Sequence, residues 1–131
     1  MSLSDDAMSS MVQSCANTVL HHLGWGWKEN VYREALAIEL RKNVDVSTEV
    51  AHPVKYCGVP LSNVFSKVDL VVDGHVLLEL KVGVLLGSSA FSRAHRQCTR
   101  YLRHCVHACD YGFVIVFPDT PEGDVKVVRV S

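Results

Sequence analysis

Val68-Asp69-Leu70-Val71-Val72-Asp73-Gly74-His75-Val76-Leu77-Leu78-Glu79-Leu80-Lys81 decides how this chain is read. Two runs rich in valine and leucine flank Asp73-Gly74, a strong local signal for a β-hairpin. Both runs are apolar at nearly every position, so both strands are expected to be covered on both faces. Asp69, Glu79 and Lys81 interrupt the pattern. A charge inside a sheet is costly unless it is paired or holds a metal, so these three residues ask for a chemical reason.

Side chains alternate faces along a strand, which puts Glu79 and Lys81 on one face. Loop length decides whether Asp69 joins them. A two-residue Asp73-Gly74 loop pairs Asp69 with Leu78 and turns it away from Glu79. A three-residue Val72-Asp73-Gly74 loop pairs Asp69 with Leu77 and sets it diagonal to Glu79. An odd loop or a bulge is therefore expected. Two carboxylates then converge beside an ammonium, an arrangement suited to a hard divalent cation and an activated water.

Other motifs accompany the hairpin. Gly26-Trp27-Lys28-Glu29-Asn30-Val31-Tyr32 precedes it, followed by Glu34 to Arg41 and by Tyr56-Cys57-Gly58. Gln97-Cys98-Thr99-Arg100-Tyr101-Leu102 follows it. Taken in order, these resemble the GxxExxY family of the PD-(D/E)XK nuclease superfamily, with a RecB-like QxxxY motif near the end. The resemblance covers roughly residues 20 to 130 and rests on four ordered motifs. It departs from the family where Val68 precedes the aspartate and where Val116-Phe117-Pro118 ends a strand.

The resemblance implies a restriction-endonuclease-like α/β core, a mixed central sheet flanked by helices in the order α-α-β-β-β-α-β-β. It also implies catalytic roles for Asp69, Glu79, Lys81, Glu29, Gln97 and Tyr101. Asp69, Glu79 and the Leu80 carbonyl would hold Mg²⁺ or Mn²⁺. Each residue has a plainer reading. Glu29 opens a helix, where the dipole favours an acid whatever its function. Gln97 and Tyr101 at i, i+4 equally suit a polar helix face.

Composition sets outer bounds. The chain has 131 residues, 48% hydrophobic and 21% charged, with a formal net charge of −1. That suits one domain spanning residues 1–131 with an adequate core, its first six residues frayed. No apolar run reaches membrane-spanning length. Five cysteines at irregular spacing speak against a disulfide framework and for a reducing compartment, cytoplasm or nucleus. His95, Cys98, His104, Cys105, His107 and Cys109 match no common zinc spacing.

With that net charge the molecule is not a polyanion binder by charge alone, and distribution matters more. Between Leu80 and Cys109 there is no acid, while Arg93, Arg96, Arg100 and Arg103 recur. This basic helix is expected to hold a nucleic-acid backbone.

Helices are expected from about 7 to 23, 27 to 42 and 89 to 108, and strands over 44–56, around the hairpin, over 111–117 and over 125–130. Val31, Ala35, Ile38, Leu36 and Leu40 mark the apolar side of the second helix. Pro53 limits the first strand or places it at an edge. The functional expectation is metal-dependent hydrolysis of a DNA phosphodiester. The alternative is a non-catalytic nucleic-acid-binding or oligomerising module of the same shape. A domain this small would need a homodimer to cut both strands.

Overall fold

The computed structural model describes residues 3–104 and 109–131. Helix α1 spans Asp5–Leu23 and α2 spans Glu29–Leu40. Strands β1 (Val46–Tyr56), β2 (Val59–Val72) and β3 (Val76–Val82) follow. Helix α3 (Ser89–His104) leads to β4 (Tyr111–Phe117) and β5 (Lys126–Val130). The order is the expected α-α-β-β-β-α-β-β. The expected last turn of the third helix falls on residues 105–108, outside the described residues.

The five strands form one sheet in the order β1-β2-β3-β4-β5. Neighbours are antiparallel except β3 and β4, which run parallel. A parallel pair needs a crossover, and α3 supplies it. Val12, Cys15 and Val19 of α1, with Tyr32, Leu36 and Leu40 of α2, cover the face carrying Leu70, Leu78, Phe113 and Phe117. Ala94, Cys98 and Tyr101 of α3 cover the other face, against Val71, Leu77, Val114 and Val116. Coverage on both sides is why β3 and β4 are apolar nearly throughout. Gly112 lets α3 come close, since a Cβ there would lie 2.5 Å from the Leu77 carbonyl oxygen and 3.1 Å from Cys98 Sγ.

Several expectations are corrected. Helix α1 begins at Asp5, so Asp5 and Asp6 are not frayed. Ser4 Oγ accepts from the Ala7 N–H at 3.2 Å, and Arg129 Nη1 donates to Asp5 Oδ2 at 2.6 Å. The core stripe of α2 is Tyr32, Leu36, Ala37 and Leu40, whereas Ile38 is 62% exposed. Strand β2 is also far longer than the hairpin signal implied. Its first half pairs with β1 beyond a Cys57-Gly58 turn whose φ values are both positive, 49° and 79°. That half is exposed and mixed in polarity, so it lacks the period that marks a half-buried strand. Pro53 does lie on an edge strand, as expected.

Candidate active site

The β2–β3 turn sets the geometry. Asp73 and Gly74 both have positive φ, 54° and 73°, and the His75 N–H donates to the Val72 carbonyl at 3.1 Å. That is the closure of a two-residue Asp-Gly turn. The ladder nevertheless resumes one residue later, with Val72 opposite Val76. His75 is the extra residue of a bulge, and the loop is odd, as expected. Its residues are Asp73 to His75 rather than Val72 to Gly74. Pairs Val72–Val76, Val71–Leu77 and Leu70–Leu78, continued by one position, put Asp69 level with Glu79 rather than with Leu77.

The β2–β3 pairing stops at Leu70–Leu78. Beyond it, the Leu80 N–H donates to Asp69 Oδ2 at 2.8 Å. The carboxylate takes the place a ladder carbonyl would hold, at the point where β2 parts from β3. Arg33 Nη1 of α2 lies 3.8 Å from Asp69 Oδ1. Asp69 thus keeps 21% side-chain exposure, while Glu79 beside it retains only 5%.

Burial pushes the Glu79 pKa from an ordinary 4.5 up to about 9, and the neighbouring Asp69 carboxyl pushes the same way. Lys81 opposes the shift and Glu29 adds a smaller increment. Burial and the Asp69 carboxyl both favour the protonated form of Glu79 at neutral pH. Its Oε2 is buried with no hydrogen-bond partner among the described residues. An orphaned carboxyl oxygen at a strand junction is a position for a ligand.

The other expected residues form a neighbouring group. Gln97 Nε2 donates to Tyr101 Oη at 2.6 Å. Both line a cavity of about 320 Å³ with Val54, Ser66, Arg100 and His104. Asp69, Glu79 and Lys81 do not line it, so the QxxxY pair faces the β1–β2 arm beside the carboxyls rather than among them. The link between the two is Cys98, whose thiol is pushed up to about 12 by burial and then by the charge of Glu79.

Arg93, Arg96, Arg100 and Arg103 are all exposed and, spaced i, i+3, i+7 and i+10, they form one stripe. That stripe lies opposite the buried Ala94 and Cys98, with Arg93 and Arg100 on the edge next to Gln97. A larger cavity of about 760 Å³ sits elsewhere, between α1 and the Asp45 and Asp73 turns, away from the paired carboxyls.

Two residues at or beside the site had escaped sequence reading. Arg33 follows Glu29 by four positions, so a shared helix face was legible in principle. His52, opposite Ser66 on β1, has a buried Nε2 without a partner among the described residues, and burial lowers its pKa. No spacing signal marks it.

The profile of the PD-(D/E)XK nuclease superfamily matches residues 6–130. The chain belongs to that superfamily. No curated protein and no solved structure is significantly similar to it. Membership supports nuclease-type phosphodiester hydrolysis in general and a nucleic-acid substrate, and PD-(D/E)XK nucleases generally use divalent metals. The residues fit such a cation: two adjoining carboxyl groups offer hard oxygens, and one of those oxygens is buried without a partner. Among the described residues no three His, Cys, Asp or Glu side chains converge, so other oxygens would complete the shell. Mg²⁺ commonly binds in this way, through one or two carboxylates with water and substrate phosphate. Among the described residues no helix is long and apolar enough to cross a membrane.

Proposed function

We propose that the protein is a divalent-metal-dependent nuclease of the GxxExxY type acting on DNA. The observation that carries this is Asp69 set level with Glu79 at the β2–β3 junction, two carboxyls of which Glu79 keeps a buried oxygen without a partner among the described residues, two residues from Lys81 on the same strand. A cation held there would offset the charge of the two carboxyls. When bound, it polarises the phosphoryl oxygen and acidifies the attacking water.

The chain's own groups do the rest. Asp69 is oriented by the Leu80 N–H, and Asp69, Glu79 and the Leu80 carbonyl would hold the cation. Lys81 orients the water and offsets charge developing on the phosphate. Glu29 faces the site from the start of α2, and its charge reaches Glu79. Gln97 and Tyr101 hold the strand next to the scissile position, with Arg93, Arg96, Arg100 and Arg103 on its backbone. Gly26 at φ +85° and the buried Tyr32 suit the other two positions of the GxxExxY signature.

A homodimer would let two such sites cut both strands. Free thiols at Cys15, Cys57, Cys98 and Cys109 suit a reducing intracellular compartment.

The test is cleavage of single-stranded, duplex and branched DNA, with an RNA control, in Mg²⁺ or Mn²⁺ and in chelator. Wild-type protein is expected to cut DNA only with metal, and Lys81→Ala to be inactive. Nucleic-acid binding without cleavage in any metal would leave the non-catalytic module standing instead.

A further inference from the structure

Gly24-Trp25-Gly26-Trp27 joins α1 to α2 and holds both tryptophans of the chain. Trp25 is 51% and Trp27 48% exposed. Tryptophan is usually well buried, so two such rings side by side in sequence need an explanation.

The loop that carries them is firmly anchored. Trp27 Nε1 donates to the Leu23 carbonyl at 2.7 Å, and the Trp27 N–H donates to Tyr32 Oη at 3.3 Å. Tyr32 Oη in turn donates to the Gly24 carbonyl at 2.7 Å. The Tyr32 ring is stacked on Phe117, with centroids 4.1 Å apart and planes 8° from parallel. The Gly26 N–H donates to the Pro118 carbonyl at 3.2 Å. Gly24 and Gly26 take φ of +75° and +85°, which side chains resist. The rings are thus presented on a fixed backbone, and little ordering cost remains for a ligand.

Its position links the loop to the site. Pro118 follows Phe117, which pairs with Val82, and Val116 pairs with Lys81. The loop is therefore docked at the sheet end where Lys81 lies. Glu29, two residues after Trp27, already acts electrostatically on Glu79. Between them Lys28 adds an exposed ammonium.

We propose that Trp25 and Trp27 form a stacking platform for unpaired nucleobases, so that the strand reaches Asp69 and Glu79 as a single strand or a splayed end. This rests on the nuclease reading of that site and names its substrate class. A base offers its flat face to an indole only when it has left the duplex stack, and such stacking tolerates any sequence. Lys28 meets the backbone of the same strand.

Because both tryptophans lie in this loop, tryptophan emission, excited selectively over the four tyrosines, reports on it alone. Oligothymidylate, an abasic oligomer of equal length and a blunt duplex are titrated in chelator, which separates binding from cleavage. Oligothymidylate is expected to quench the emission and the abasic oligomer to leave it nearly unchanged. Trp25→Ala and Trp27→Ala should each weaken single-strand binding by about five- to a hundred-fold and leave duplex binding unaltered. Trp27→Phe should keep most of the affinity. Trp25→Leu should behave as Trp25→Ala; rescue by leucine would mean a generic apolar surface, as for a protein partner, and would overturn the platform. Equal affinity for the abasic oligomer, or no binding to any oligomer, would overturn it too. Metal-dependent cleavage with silent fluorescence removes the platform and keeps the nuclease. Quenching without cleavage in any metal keeps the platform and removes the nuclease.

Discussion

Asp69 and Leu80 are joined by a hydrogen bond from the Leu80 N–H to Asp69 Oδ2, 2.8 Å long, at the point where β2 leaves β3. A side-chain carboxylate has replaced a backbone carbonyl there. The bond aims one oxygen of Asp69 along β3 and leaves its group beside Glu79.

That bond separates two roles of Asp69. Asp69→Asn retains an oxygen for the Leu80 N–H, whereas Asp69→Ala leaves that N–H without an acceptor. Chemical denaturation without metal should show the alanine variant roughly 1–3 kcal/mol less stable than the asparagine variant. Equal stability would mean that water satisfies the amide. Both variants should lose any stabilisation by millimolar Mn²⁺.

Glu79 predicts a pH dependence. Its folded pKa, about 9, lies above its ordinary 4.5, so the native state holds a proton that the unfolded state has lost between those values. Stability therefore falls as pH rises through that window. Melting temperature in chelator should decline from about pH 5 to pH 9, and Glu79→Gln should flatten the decline and match or exceed wild type at the alkaline end. Mn²⁺ must displace the proton, so its stabilising effect should grow with pH over the same range. A Glu79→Gln protein that declines like wild type would place the titration elsewhere.

Lys81 is expected to serve chemistry rather than coordination. Lys81→Ala should keep the Mn²⁺-induced rise in melting temperature and lose about a hundred- to a thousand-fold in cleavage rate. Loss of the thermal shift as well would make the lysine part of the metal site's architecture.

The arginine stripe of α3 is testable by salt. Arg93→Gln with Arg100→Gln, the two beside Gln97, should reduce the log–log salt slope of DNA binding by about two units, one for each phosphate no longer neutralised. Arg96→Gln with Arg103→Gln, on the same stripe, should reduce it by about as much. An unchanged slope in both double variants would mean that the helix is a solvated surface.

Most of the fold was legible because its signals are local. The apolar runs around Asp73-Gly74, the periodic valines of α1 and the all-apolar Tyr111–Phe117 each declare their element within a short window. The carboxylates announced themselves as charges in strands that bury everything else. The residues whose signals are weak were the ones misplaced. The first half of β2 is exposed and has no period, and Ile38 matched the helical spacing yet faces out because Tyr32 takes the inner position.

The sequence by itself determined the element order, the hairpin and the identity of the residues that needed a reason. Tertiary structure alone decided how they meet. A one-residue change in a hairpin loop flips every side chain to the other face, so the level of Asp69 against Glu79 hung on the His75 bulge, which composition does not encode. Likewise, the orphaned Glu79 oxygen, the reach of Arg33 from α2 and the docking of the tryptophan loop on Pro118 arise where distant segments meet. Burial raises a carboxyl's pKa only once the chain has closed around it.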